Sequence, residues 1–567
     1  MAISSEMILS NDYADFIVPA YALSQEDFAS RFRLMNGQLI NQLYGMVHVQ
    51  RTAQSDSFLN SVPYSSIPSL FTTLDTTSLE VSGIIKTQLQ PALNLTGQGV
   101  LLGFLDTGIN YTHPAFRNPD GTTRILKIWD QTIEGSSPDP EHFSYGSVYT
   151  AAQIDQALTL EDPYSLVPSR DTDGHGTSLA GAAAGSIAPA GEFSGAAPKA
   201  GILMVKLKPA KEYLRRFYFA DSAAPIFQET DLMTAIQFLT RTAREMKMPL
   251  ILCIGLGSNQ GDHSGSTPLE ISLNRLENLY GLASFCAAGN EAGRAHHFLG
   301  SIPEEEEYQT VELVVPEGSP GFTLELWGQS PELYSVGFLS PGGENIPRIP
   351  TRLWLLEEIP FILDRTKITL RYELVQDTSG GQLIFLRFQD PSPGIWTIRV
   401  YSSGASAGIY HIWLPITGFS NPDITFLEPD PYTTVTAPCT ARSSIAAGAY
   451  SAYNNSLYLH SSRGFARDGN IKPELTAPGV QITVPGLRTG YTQQTGTSLS
   501  AALTAGAGAL LMEWGMRQVP PRYYTASELK GLLIRGADRE PELSYPSREW
   551  GYGRLNLYQV FLSITTS

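Results

Sequence analysis

Val100-Leu-Leu-Gly-Phe-Leu105 runs without a polar side chain straight into Asp106-Thr-Gly108. An apolar run of that length, closed by a turn sequence, predicts a strand buried on both faces, as in parallel sheets. Gly201-Ile-Leu-Met-Val205, Leu250-Ile-Leu-Cys-Ile254 and Ala283-Ser-Phe-Cys-Ala287 read the same way, with a helix expected from Asp231 to Lys247. Such alternation predicts an α/β fold, a doubly wound parallel sheet with its site at the carboxyl ends of the strands. Asp106 is then a carboxylate placed at that edge.

The segments on either side have a different character. Residues 1–75 carry short amphipathic pieces such as Asp15-Phe-Ile-Val-Pro19 and Leu39-Ile-Asn-Gln-Leu43, the pattern of a small α/β unit. The Ser/Thr/Pro-rich stretch from Gln54 to Thr77 reads as an exposed linker behind it. Over residues 298–430, alternating runs such as Thr310-Val-Glu-Leu-Val-Val315, Phe322-Thr-Leu-Glu-Leu-Trp327 and Gly394-Ile-Trp-Thr-Ile-Arg-Val400 are separated by Pro/Gly/Ser turns. That is the signature of an inserted antiparallel β-sandwich. From Ala437 to Gly515 the Gly/Ala-rich composition returns, so the α/β domain is expected to comprise 76–297 and 431–567.

Composition narrows the function classes. With 567 residues, 42% hydrophobic and 16% charged, the chain is a folded globular protein with length for several domains. Its charge, 38 − 55 = −17, weighs against nucleic acid as a partner, because phosphate binding depends on clustered Lys and Arg. No apolar run approaches the roughly 18 residues of a membrane span, so none is expected. Cys253, Cys286 and Cys439 are too few and too scattered for a disulfide scaffold or a zinc site, and read as buried thiols. Met1 to Asp12 lacks a basic segment followed by an apolar one, so no signal peptide is expected. Without an acidic cluster at calcium-loop spacing, no metal is expected, and no cofactor.

Three more motifs carry chemistry. Asp173-Gly-His175-Gly-Thr-Ser178 runs into Leu179-Ala-Gly-Ala-Ala-Ala-Gly185, which sets an imidazole at the start of a small-residue helix. Most histidines have no catalytic role, and His113, His263, His296 and His297 are expected to be surface or loop residues. Gly496-Thr-Ser498-Leu-Ser-Ala-Ala-Leu-Thr-Ala-Gly506 places a serine at a helix start, where alone it would read as an N-cap. Ala287-Ala-Gly-Asn290 follows a strand and offers a side-chain amide for a developing oxyanion. Taken singly, each motif has a structural explanation. Together, Asp106, His175 and Ser498 supply the orienter, base and nucleophile that acyl transfer requires. Two rival readings fail on spacing. Aspartic proteases need a second Asp-Thr-Gly carboxylate, which the chain lacks, and Gly255-Leu-Gly-Ser-Asn-Gln-Gly261 does not space its glycines as a dinucleotide loop does.

These blocks, with Thr476-Ala-Pro-Gly479 ahead of the serine, resemble those of subtilisin-type serine proteases, in the order of the subtilisin triad. The resemblance implies a subtilisin-like fold with Asp106, His175 and Ser498 as triad and Asn290 as oxyanion-hole amide. It further implies Gly255, Leu256 and Gly257 as the edge pairing with substrate backbone, and Ala287, Ala288 and Gly289 as part of the primary specificity pocket. The separation 498 − 290 = 208 leaves room for a whole inserted domain. In that architecture the chain is similar to the clostridial spore-germination (Csp) proteases. That likeness implies a prodomain over residues 1–75 cut in cis between Leu70 and Thr77 and then retained. It also implies a jelly-roll insertion, a protein substrate that is a cortex-lytic zymogen, and a cytoplasmic or intraspore location. The competing expectation is a catalytically idle subtilase-fold scaffold whose sandwich binds a partner.

Overall fold

The computed structural model describes residues 5–32, 35–51, 59, 62–73, 82–135, 143–189, 193–220, 224–303, 305–352, 355–376, 378–403 and 408–565. Eight strands form the central sheet in the order Leu475–Pro478, Ile445–Tyr450, Leu282–Ala287, Leu250–Ile254, Leu101–Asp106, Gly201–Lys206, Ile125–Asp130 and Ser147–Thr150. All neighbours are parallel except the last two, which run antiparallel. The apolar runs become strands because both faces are covered. Leu102 and Phe104 pack with the helices His175–Ala184 and Thr497–Met516, whereas Leu101 and Leu105 pack with Glu229–Met246 on the other side. From Leu101–Asp106 the chain builds outward in both directions, so Asp106 ends the strand at which the winding reverses. A crevice opens there.

Two antiparallel sheets form the sandwich. One has six strands: His297–Ser301, Ile409–Trp413, Gly321–Gly328, Gln382–Gln389, Lys367–Glu373 and Leu356–Pro360. The other has five: Asn345–Ile349, Tyr334–Leu339, Gly394–Ser402, Tyr308–Val315 and Thr425–Phe426. Alternate residues such as Phe322, Leu324 and Leu326 fill the space between the sheets. The opposite face of the six-stranded sheet is buried as well, since Trp327, Phe385 and Trp413 enter a separate core. That core takes Tyr213, Phe217 and Tyr218 from the α/β region, and Ala14, Phe16 and Val47 from a small N-terminal sheet. In the N-terminal sheet Tyr44–Gln50 pairs antiparallel with both Tyr13–Pro19 and Gln38–Leu39. The rings of Phe217 and Phe385 stack with centroids 5.6 Å apart. Three parts of the chain thus share one interior.

Two expectations need correction. The stretch from Gln54 to Thr77 is not an exposed linker over its described part. Leu59, Tyr64, Ile67 and Leu70 are buried, and Leu70–Thr73 is a strand; residues 54–58, 60–61 and 74–77 lie outside the described residues. The sandwich holds this segment by its backbone. Arg371 donates to the carbonyls of Val62 (2.6 Å) and Leu59 (3.0 Å), and Glu373 accepts from the Tyr64 amide at 2.9 Å. The Tyr64 hydroxyl donates to Glu325. The histidines expected at the surface are also buried. His113 accepts the Ala115 amide at 3.0 Å, and His296 sits 2.6 Å from Glu291. The His263 ring stacks on Trp413 at 4.1 Å, and His297 lies 2.9 Å from His411. Burial, with His263 nearby, pushes the His297 imidazole down to about 3. The partners of His263 and His297 are distant in sequence, which is why local composition misplaces those two.

Cys253, Cys286 and Cys439 are free and buried. Among the described residues, no helix is long and apolar enough to cross a membrane.

Candidate active site

Asp106 is the last residue of its strand, and its Oδ1 accepts the Thr107 amide at 2.7 Å. His175 opens the helix His175–Ala184. Its Nδ1 lies 2.8 Å and 3.0 Å from the two Asp106 oxygens, and its Nε2 lies 3.1 Å from Ser498 Oγ. An Nδ1–H donating to the carboxylate leaves Nε2 as acceptor for the serine hydroxyl. All three residues are buried.

Local sequence explains the approach. At Gly176 a β-carbon would overlap the Gly108 carbonyl and stand 3.1 Å from Asp106 Oδ1. Only glycine lets the helix start come this near. The turn ahead of it is held by Asp171, whose Oδ1 accepts the Gly174 amide at 2.8 Å. Its Oδ2 accepts the Thr177 amide (2.9 Å) and hydroxyl (2.6 Å). Asp171 was not among the residues expected at the site, although a carboxylate four positions ahead of the histidine has the form of a turn-fixing Asx residue.

Ser498 is the second residue of Thr497–Met516, a helix lined with Ala and Gly and buried along almost its whole length. Thr497 ties that helix to the Asn290 turn: its amide donates to Asn290 Oδ1 at 3.1 Å, and its hydroxyl accepts the Gly289 amide at 3.0 Å. With Oδ1 so engaged, the Asn290 amide nitrogen is left as the donor. Ala287 ends its strand and is buried with Ala288, whose carbonyl accepts the Thr436 amide at 2.9 Å.

Gly255 lies beside the histidine, where a β-carbon would stand 3.1 Å from His175 Cε1. Leu256–Gly257 pairs antiparallel with Leu70–Thr73, with Thr73 opposite Leu256 and Thr72 opposite Gly257. The other edge of Leu70–Thr73 pairs with Ile226–Gln228. A piece of the chain's own N-terminal part is therefore the middle strand of three, running toward the triad. Among the described residues no group of three or more His, Cys, Asp or Glu side chains is placed to hold a metal ion.

Residues 97–321 and 417–553 match the model of the subtilase family. The chain belongs to the subtilase family. Among solved structures, the CspB protease of Clostridium perfringens is similar to it, with 32% identity and a TM-score of 0.75 over 86% of this chain and 97% of that one. The PII-type proteinase of Lacticaseibacillus paracasei is 23% identical over 480 residues, which is 77% of this chain but 24% of that proteinase. The C5a peptidase of Streptococcus pyogenes is 30% identical over 151 residues, 25% of this chain and 12% of that protein. The chain spans about a quarter of the length of the curated subtilase proteinases it matches most extensively, 24% for the example just given.

Gly176→Ala tests the close packing. In an unconstrained helix that change stabilises by about 0.5–1 kcal/mol. Here it should destabilise by about 1–3 kcal/mol, because the helix must move. The sign of the shift in melting temperature decides, and a raised one would show that the contact with Gly108 does not constrain the helix.

Proposed function

We propose that this subtilase is a serine endopeptidase that cuts its own chain once and then acts on a protein substrate. The observation that carries the reading is the hydrogen-bonded series Asp106, His175, Ser498 at the end of a groove already holding an extended peptide strand. As Ser498 Oγ bonds to the scissile carbonyl carbon, His175 Nε2 takes the hydroxyl proton, and Asp106 stabilises the imidazolium. Negative charge on the carbonyl oxygen is met by the Asn290 amide and by the backbone N–H of Ser498 at the helix start. His175 then protonates the leaving amine. Water, deprotonated by His175, hydrolyses the acyl-enzyme to a carboxylate and free Ser498. Gly255 to Gly257 on one side, and Ala287 to Gly289 on the other, are assigned as the walls that receive the residue before the scissile bond.

The pairing of Thr73 with Leu256 and of Thr72 with Gly257 supports a position for the self-cut. Gly255, next along that edge, lies against His175, so the residue that follows Thr73 is assigned as the one before the scissile bond. The bond cut is then Leu74–Asp75, inside the expected window of Leu70 to Thr77, although Leu74 itself lies outside the described residues. The preceding segment acts as a prodomain that stays bound after cleavage. Its share of the three-part core supports that, since leaving would expose Phe16, Val47, Tyr64 and Leu70 to water. Similarity to a Csp protease favours a zymogen of a spore cortex hydrolase as substrate, with a role in germination. It is tested by whether such a zymogen is shortened by wild-type protein and not by Ser498→Ala. The idle-scaffold reading has the filled groove in its favour, and the self-cut separates the two.

Intact-mass measurement and N-terminal sequencing should find wild type split after Leu74 and Ser498→Ala as one chain of 567 residues. Asn290→Ala should slow the same cut by about 10² to 10³. An uncut wild type, or a cut that survives Ser498→Ala, overturns the reading.

Retention should respond to acid through Asp15. Its Oδ1 lies 2.8 Å from Lys211 Nζ and 2.6 Å from His48 Nδ1, and its Oδ2 accepts from Gln228 at 2.8 Å. Burial opposes ionisation, but Lys211 and His48 outweigh it and hold the carboxyl well below the usual carboxylate range. A depressed carboxyl contributes stability that is present above the unfolded pKa, about 3.9, and lost as pH falls from there toward the folded value. The two fragments should co-elute at pH 7 and begin to separate only below about pH 4. Asp15→Asn should weaken the association at pH 7 and flatten its acid response. Equal acid profiles for the two proteins on size-exclusion chromatography would remove Asp15 from the account.

A further inference from the structure

Besides the strand pairing, side chains of the groove hold two backbone amides of the bound segment, one in the strand and one just ahead of it. The Leu70 amide donates to Gln260 Oε1 at 2.7 Å, and the Ser69 amide to Glu229 Oε2 at 3.2 Å, while the Glu229 amide donates to the Ser69 carbonyl at 2.8 Å. Gln260 and Glu229 are both buried. Any peptide bound in the same register offers the same two amides whatever its side chains, so these contacts read backbone. The Leu70 side chain is fully buried, in the core that contains Tyr218, Ile226, Trp327 and Phe385. That contact reads a side chain.

We infer that the substrate cleft extends to the sixth residue before the scissile bond, with Gln260 and Glu229 binding the backbone there and an apolar pocket selecting an aliphatic fifth residue. The inference rests on the endopeptidase reading and on the cut after Leu74, which makes Leu70 the fifth residue back and Ser69 the sixth.

The inserted sandwich builds this far end. Glu325 accepts the Gly261 amide at 2.9 Å and the Trp327 indole N–H at 2.9 Å. Asn259 donates to the Leu414 carbonyl at 3.2 Å. The residues on either side of Gln260 are thus fastened to the sandwich, and Trp327 and Phe385 supply part of the core that takes Leu70. Glu325 is a positioning residue. It acts through Gly261 on Gln260, and the insertion is a specificity element for the upstream half of the substrate.

The test uses full-length, self-processed protein and three peptides, each with a fluorogenic amide after the last residue. One copies residues 71–74, one copies 69–74, and one copies 69–74 with its leucine at the fifth position replaced by aspartate. The readout is the ratio of kcat/KM for each six-residue peptide over the four-residue one. A cleaved tail competing for the groove lowers kcat/KM for all three alike and cancels in the ratio. The ratio should be about ten or more for the native six-residue peptide, from two hydrogen bonds and one buried leucine. For the aspartate peptide it should fall below one. Gln260→Ala should lower the native ratio about three- to tenfold, and Glu325→Ala should lower it in the same direction. A ratio near one in wild type, or one that neither variant moves, overturns the inference while leaving the endopeptidase reading in place. Cleavage of neither length by wild type overturns both.

Discussion

The bond from His175 Nδ1 to Asp106 is possible only because backbone meets backbone at Gly176 and Gly108. A helix lined with larger residues would stand off from the strand, and the imidazole would no longer span the gap between carboxylate and serine. The second helix obeys the same rule. Gly506 lies where a β-carbon would stand 3.0 Å from the Ala183 carbonyl, so the helix carrying Ser498 packs directly on the helix carrying His175. The Ala and Gly content of both segments is therefore a distance requirement. Two helix starts must reach one strand end, and small side chains are what allow it.

That requirement explains which parts of the molecule were legible in the sequence. Buried parallel strands announce themselves as apolar runs, and the motifs carrying Asp106, His175, Ser498 and Asn290 sit at strand ends and helix starts, so the α/β fold and the four residues the structure brings together could be read locally. The sandwich was legible because alternating residues and turn signals are also short-range. The segment from Gln54 to Thr77 was not, because averaged composition hides Leu59, Tyr64, Ile67 and Leu70, all of them buried under residues from the sandwich and the α/β region. The buried histidines failed for a related reason. His263 owes its place to Trp413, 150 positions away by subtraction of their numbers. Gln260 and Glu229 gave no signal at all, since a glutamine and a glutamate that bind backbone look like any other surface polar residue until the strand they bind is seen.

The filled groove also bears on the proposed self-cut. Hydrolysis of one bond next to Ser498 would leave untouched the strand pairing of Leu70–Thr73, the amides held by Gln260 and Glu229, and the anchoring of Tyr64 and of the Leu59 and Val62 carbonyls. On that proposal the upstream product would remain attached to a folded body that shares a core with its host. Its local concentration at the groove is then that of a tethered ligand, at the millimolar level for a short linker. On the proposed reading an incoming substrate would displace the strand in the groove and not the whole segment, because Arg371 and Glu373 hold Leu59, Val62 and Tyr64 apart from the strand pairing. On the proposed reading the insertion serves both events. It holds the anchor through Arg371, Glu373 and Glu325, and Glu325 also holds the loop bearing Gln260. One sheet would then decide both how firmly the tail sits and how far upstream a competing chain must match it.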